Sequence, residues 1–428
     1  MSESIPATPK GAGDILAVGF GTTVAMWGVA YLARLPVVLA PPALVLALLL
    51  AALLCGGYVI GRFGARGVAG GAMAGALTGL LNLLVLGSFL STRDRPDALV
   101  PTALAWLPGS IALSSALAAA GAWWGTRVRA RGAAAAVDWT AALARVAVAA
   151  TFLLLVAGGL VTSNKAGLAV VDWPRSYGYN MFLYPFSRMT GGIYYEHAHR
   201  LLGALVGLTT LTLAIHLMRV ETRRPVKRMA VVAAVLVLAQ GILGGLRVTE
   251  RNLYLAVVHG VTAQVFFALL VSIAVVCSVA WRRGTSRGTR AHGDETLATV
   301  AVVALLIQIV FGAIQRHLAL GLMLHVVSAF VVAGLTIAAG VRAWGLNQDE
   351  PVLTKAGLTV VYATAFQLML GFLAWIARGA ASSGALSDDW KIVLTTMHQG
   401  MGALLLAAMV ALRLWISYFA SRGQPSSR

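Results

Sequence analysis

The sequence predicts an all-α polytopic membrane protein with about twelve transmembrane helices. Three observations carry that prediction. Of 428 residues, 59% are apolar and only 11% are charged, against roughly 25% charged in ordinary soluble domains. Apolar runs of about 20 residues, the length that spans a bilayer, recur along the whole chain. Finally, the 33 Lys and Arg residues, which outweigh 15 Asp and Glu to give a net charge of +18, gather in short loops between those runs. Basic loops are a topology signal and need no anionic partner, so no nucleic acid is expected.

Spans are expected at about 15–34, 38–60, 67–91, 99–125, 141–161, 191–218, 229–246, 253–280, 297–315, 320–343, 355–377 and 391–417. The basic loops follow the second, fourth, sixth and eighth of these: Arg62 and Arg66; Arg127, Arg129 and Arg131; Arg219 to Arg228; Arg282 to Arg290. The positive-inside rule then places both termini in the cytoplasm and the long loop Thr162–Thr190 outside. The stretch Met1–Asp14 lacks the basic start of a signal peptide, so the first span is expected to be retained. Cys55 and Cys277 both lie inside apolar runs and are read as packing residues.

The first four spans hold no His. The third carries Gly67, Gly71, Gly75 and Gly79, a stripe that permits close helix approach. It serves either tight internal packing or an oligomer interface, so a homo-oligomer is one expectation. After it, Thr126–Asp138 reads as a linker. We therefore divide the chain into 1–134, of unassigned role, a first four-helix bundle at 135–290, and a second at 291–428.

From Trp139 onward the chain repeats in helix pairs. Three first helices share Gln-x-x-x-Gly, at Gln240/Gly244, Gln308/Gly312 and Gln367/Gly371, and the remaining one has Leu154/Gly158. Each second helix carries a His near its outer end: His199, His259, His325 and His398. A small residue stands four positions later in each case: Gly203, Ala263, Ala329 and Gly402. The histidines lie roughly 10 Å in from the outer helix ends. Four pairs make two pseudo-symmetric four-helix bundles, each with two histidines, and bundles build cofactor sites from facing side chains.

Neutral imidazole is a common metal ligand. No Cys, Asp or Glu recurs beside each His to complete a zinc shell. Facing imidazoles in an apolar bundle, with small residues making room for a ring, suit a haem iron. Two sites are expected, His199 with His259 and His325 with His398. His197 is read as a packing residue or a supporting partner. His216, His292 and His317 are read as structural or solvated.

Two features distinguish the first bundle. Glu196 stands three residues before His199, on the same helical face, whereas Ala256, Leu322 and Thr395 occupy the matching places. It either pairs with Arg200, four residues on, or acts as a base or nucleophile at a haem edge. The second feature is the aromatic outer loop, from Thr162 through Asp172-Trp173-Pro174 to Tyr177–Phe182. It is either a lid on the first bundle or an interfacial anchor.

Gly158-Gly159-Leu160, Gly167-Leu168, Asp172-Trp173-Pro174, Glu196-x-x-His199-Arg200, His259, His325 and His398 together resemble the heme A synthase family. The resemblance covers about residues 139–428. It implies a membrane haem-dependent oxidoreductase of two four-helix bundles, converting haem O to haem A for cytochrome oxidase. It implies substrate haem between His199 and His259, haem b between His325 and His398, and the essential glutamate at Glu196. Haem O delivery by a haem O synthase, contact with cytochrome oxidase assembly factors, and a bacterial cytoplasmic membrane with the haem sites toward the outer face follow from the same resemblance. Among Arg200, Arg247, Arg251 and Arg316 we expect partners for haem propionates, Arg200 and Arg251 foremost. The four N-terminal spans lie outside the family pattern, and the outer cysteine pair of some members is absent. A bis-histidine diheme cytochrome that only carries electrons also explains four histidines, but it leaves Glu196 and the loop unexplained. A transporter would place its polar groups near the midplane, not in an outer layer.

Overall fold

The computed structural model describes residues 12–92, 97–129, 137–283, 292–384 and 386–422. Twelve helices among them are long and apolar enough to cross a membrane. The protein is a multi-pass, all-helical membrane protein, and no β-strand occurs among the described residues. In order the helices are α1 (Gly13–Ala33), α2 (Pro42–Phe63), α3 (Gly67–Leu90), α4 (Ala103–Arg127), α5 (Trp139–Ser163), α6 (Gly191–Val220), α7 (Arg224–Thr249), α8 (Leu253–Val276), the short α9 (Val279–Arg283), α10 (His292–Leu318), α11 (Leu322–Leu346), α12 (Pro351–Ser382) and α13 (Asp388–Arg422). Most of the expected linker, at 130–136, and most of the fourth basic loop, at 284–291, lie outside the described residues.

Local chemistry sets several boundaries. Pro42 and Pro351 open α2 and α12, where a missing N–H costs nothing. Gly321 adopts φ 75° immediately before α11. The α10 helix continues to Leu318, so only three residues separate it from α11. His317 is consequently in the last turn of a helix, whereas the expected spans at 297–315 and 320–343 left it in the connection between them. The apolar run ends sooner than the helix because Gln315, Arg316 and His317 are polar yet helical.

The helices group into two compact units. The first comprises Met1–Leu154, Gly167–Val237 and Cys277–Val279, and the second Leu155–Ala166, Leu238–Val276 and Ala280–Arg428. In the first unit the glycine stripe of α3 is turned into α4. A Cβ on Gly79 would lie 2.7 Å from the Ile111 Cα, and one on Gly71 would lie 2.7 Å from the Ala118 carbonyl oxygen. Gly57 and Gly61 of α2 meet α4 in the same way at Ala118 and Ala122, while Gly121 and Gly125 of α4 meet α2 at Leu54 and Tyr58. Backbones touch because no side chains intervene, which favours dispersion and short Cα–H contacts where the hydrophobic effect offers no gain. The stripe is therefore spent on internal packing, and it no longer argues for an oligomer. Asp14, 4% exposed in the first turn of α1, accepts from Arg66 at 2.5 Å, which satisfies the buried carboxylate.

In the second unit α13 is the central helix. Its Leu405, Leu406, Met409, Leu412 and Phe419 pack with residues of α8, α10, α11 and α12. Two threonines from facing helices, Thr336 and Thr364, are buried and bonded to each other at 3.0 Å. The α11 and α12 backbones approach closely at Gly340 and Gly357.

Candidate functional site

In the second unit each expected ligand histidine lies over the glycine of the preceding helix. A Cβ on Gly244 would sit 3.3 Å from His259 Cε1; on Gly312, 3.0 Å from His325 Cε1; on Gly371, 2.9 Å from His398 Cε1. The three glycines are recesses that receive the imidazole edge, and larger residues would push the rings aside. This is the physical content of Gln-x-x-x-Gly.

The glutamine one turn earlier holds the same edge. Gln308 Nε2 lies 3.1 Å from His325 Nδ1 and donates to the His325 carbonyl at 2.7 Å, while Ser328 Oγ donates to Gln308 Oε1 at 2.5 Å. Gln240 repeats this. With its NH2 toward the ring, it reaches His259 Nδ1 at 3.0 Å and the His259 carbonyl at 3.3 Å, and Oε1 accepts from Thr262. Turning the amide by 180° would offer Oε1 to an Nδ1–H instead. With Oε1 toward the ring, an Nδ1–H donates to it and Nε2 keeps a lone pair for another partner, as in metal-binding histidines whose second nitrogen donates; with the NH2 toward the ring, Nδ1 accepts and the neutral ring carries its proton on Nε2. The hydroxyl three residues after each of these two histidines is a part of the device that sequence reasoning missed. Its signal was present as His-x-x-Ser and His-x-x-Thr.

His325 and His398 face one another. Their ring centroids are 6.3 Å apart and their planes nearly perpendicular, at 85°. They are too far apart for a direct hydrogen bond between rings of this orientation, yet close enough to share one ion. His259 lies in the same unit, near enough to Arg247 and His317 for charges to interact. His317 was read as structural or solvated; the structure puts it 4.0 Å from where a Cβ on Gly260 would stand. His199 belongs to the first unit, on α6.

Glu196, His197 and Arg200 surround His199 on α6. Glu196 is 3% exposed and accepts from Arg200 Nε at 3.3 Å, so the intrahelical ion pair exists. The rest of the Arg200 guanidinium is given to the outer loop. Nη1 donates to the carbonyls of Asp172 at 2.7 Å and Arg175 at 3.0 Å, and Nη2 to Val170 at 2.8 Å. His197 is fully buried. Its Nδ1 lies 3.1 Å from Ser176 Oγ, and its ring is 4.9 Å from that of Tyr184. Both residues therefore fasten the loop to α6. Asp172 closes the loop on itself, accepting from the backbone N–H groups of Tyr177 at 2.7 Å and Gly178 at 2.9 Å. The two short 3-10 turns Met181–Leu183 and Phe186–Arg188 complete it.

The arginines divide by environment. Arg316 donates to Gly159 O at 2.8 Å, Ser163 Oγ at 2.7 Å and Thr395 O at 3.3 Å. It thus sits at the C-terminal end of α5, where helix carbonyls favour a cation. Arg251 is exposed in the α7–α8 turn with φ 50°. His216 bonds to Thr140 at 3.0 Å and is structural, as expected. Cys55 and Cys277 are unbridged. Among the described residues, no cluster of three or more His, Cys, Asp and Glu could hold a metal without a further ligand system.

Residues 178–324 match the family model described as cytochrome oxidase assembly protein. The matched segment contains Glu196, His199, Arg200 and His259 and stops one residue short of His325. A curated relative, "Heme A synthase" of Geobacillus kaustophilus (strain HTA426), is 27% identical over 152 residues, which is 35% of this chain and 46% of the relative. The matched stretch thus spans less than half of that relative's length. Over this region the resemblance to the heme A synthase family holds.

Proposed function

We propose that this protein is a heme A synthase: a membrane oxidoreductase that converts the methyl group of haem O to a formyl group for cytochrome oxidase. The observation that carries the haem reading is the facing pair His325 and His398, 6.3 Å between ring centres. Two metal–nitrogen bonds of about 2 Å, plus roughly 1.1 Å from each nitrogen to its ring centre, come to about 6 Å. The pair therefore fits one iron, and the recesses at Gly312 and Gly371 set it there. We assign haem b to this pair. Haem b supplies one-electron redox chemistry when bound.

The substrate haem belongs to His199 and His259, in the segment that matches the family. Turning a methyl into a formyl group adds one water and releases four protons and four electrons. Protons need an acceptor at the reacting edge, and Glu196 is the carboxylate beside His199 that the other three histidines lack. Arg200 Nε, 3.3 Å from Glu196 Oε1, holds this carboxyl group in place beside His199. Arg200 and His197 hold the outer loop against the same helix, which limits water around α6. The electrons leave to an acceptor outside the chain. A haem O synthase as donor, assembly factors as recipients, a bacterial cytoplasmic membrane and an outward-facing site belong to this proposal. So does the division into bundles at 135–290 and 291–428.

Replacing Glu196 by Gln tests the assignment. The variant is expected to retain haem while accumulating haem O or its alcohol. Undiminished haem A output from E196Q would remove Glu196 from the chemistry. The electron-carrying cytochrome remains the second reading, because the His325–His398 pair alone would serve it equally.

A further inference from the structure

The four helices α1–α4 lie outside the matched segment, and nothing above gives them a task. The end of α1, the end of α3 and the connection between α3 and α4 meet the outer loop. Gly87, near the end of α3, is packed on the first 3-10 turn: a Cβ there would stand 2.6 Å from the Phe182 carbonyl oxygen and 2.9 Å from Leu183 Cδ2. The next residue, Ser88, donates to the same carbonyl at 3.4 Å. Phe89 stacks on Phe186 of the second 3-10 turn, with centroids 4.3 Å apart and an interplanar angle of 20°. Arg34, just after α1, covers Phe186 with its guanidinium 5.3 Å from the ring centre. In the connection between α3 and α4, Asp97 accepts from the Asn180 backbone N–H at 2.5 Å and lies 3.7 Å from Arg175. Tyr194 of α6 stacks on Tyr31 at 5.8 Å and donates to its carbonyl at 2.7 Å.

These contacts divide the loop into two arms. The arm 167–178 is fastened to α6 by Arg200 and His197. The arm 180–188 is fastened chiefly to α1, α3 and the α3–α4 connection, while Tyr184 on His197 and Arg175 beside Asp97 cross between the two sets of anchors. Neither arm has regular structure of its own beyond two three-residue turns, and a loop of this length is expensive to order without anchors. Backbone acceptors and donors, an aromatic stack and an ion pair all converge on it from the N-terminal helices. A merely lipid-filling bundle would need none of them.

We propose that α1–α4 form a brace for the outer loop, with Gly87 and Phe89 as positioning residues for the substrate haem held at His199. This rests on the function proposed above. The brace holds the loop mainly at 180–188 and α6 holds it mainly at 167–178, so the loop keeps one shape as the substrate arrives and the product leaves.

The test uses the full-length protein in detergent and three variants: Gly87→Leu, Phe89→Ala and Phe89→Tyr. Leucine at position 87 must displace the Phe182 backbone. Phe89 is 55% exposed, so its truncation leaves the interior of α3 and α4 intact and serves even where Gly87→Leu fails to fold. Two readouts are taken: the rate of tryptic cleavage after Arg175 and Arg188, and the affinity for added haem O by Soret titration. The spectrum of the His325–His398 site serves as an internal control. G87L and F89A are expected to be cut faster and to bind haem O on the order of tenfold more weakly, with the control spectrum unchanged. F89Y keeps the ring and is expected to behave as wild type. Unchanged cleavage in F89A overturns the brace, and faster cleavage with unchanged haem O affinity overturns the positioning role. Wild-type protein that binds no haem O would instead refute the function, while the cleavage rates would still decide whether α1–α4 hold the loop.

Discussion

A recessed glycine places His259, His325 and His398 of the second unit, and an amide also holds the first two. Gly312 and Gly371 remove the Cβ that would collide with His325 and His398, and Gln308 fixes the first ring through Nδ1. Replacing His398 by Ala is therefore expected to abolish the low-spin signal of one haem and spare the other, read by reduced-minus-oxidised spectra of the purified variant. Gln308→Leu keeps the ligand but frees its ring. We expect haem retention with an altered potential or spectrum, because support of this kind tunes metal affinity by about 10- to 100-fold. A third prediction concerns Glu221, between α6 and α7. Hydrogen bonds from Arg223 hold its carboxyl below the ordinary carboxylate range. A depressed carboxyl stabilises the fold above its unfolded value, and that contribution is lost as pH falls through the folded value. Glu221→Gln should thus lower thermal stability at pH 7, and the gap to wild type should close in acid, below about pH 4. A constant gap at all pH values would contradict the assignment.

At the scale of elements, α3 carries the clearest prediction. Gly75 lies against α4 near Ser114 and Ser115, where a Cβ would stand 2.8 Å from the Ser115 Cα. Gly75→Leu must separate the two backbones, and we expect a loss of about 1–3 kcal/mol or more in detergent stability, measured by thermal unfolding. Wild-type stability would mean that the α3–α4 contact is looser than described. The helices themselves were legible in the sequence, since length and hydropathy locate a membrane span without reference to its neighbours. So were His325 and His398, whose matched depth and repeat pattern survive in one dimension. The direction of the glycine stripe was not legible, because a stripe states that something approaches closely without stating what. The tasks of Arg200 and His197 were hidden for a related reason. Their partners are backbone carbonyls of Val170, Asp172 and Arg175 and the hydroxyl of Ser176, and a carbonyl has no letter in the sequence. His317 was misplaced because α10 outlasts its apolar run.

On the scale of the whole molecule, the repeat of helix pairs supplies the histidines, and in the proposed function the departures from that repeat supply the chemistry. Of α6, α8, α11 and α13, α6 alone carries a carboxylate three residues before its expected ligand histidine, and among the described residues it alone of these four follows a long loop. That loop is held by Arg200 and His197 of α6 and, chiefly at 180–188, by α1, α3 and the α3–α4 connection. An electron carrier would need the four histidines and nothing more. The central claim is that this scaffold modifies a haem. It is tested most directly by extracting the haems from purified protein and separating them by chromatography. The account predicts two haems per chain: haem b together with haem O, its alcohol or haem A. Haem b alone in both sites, or well-folded protein that carries no haem, would contradict it.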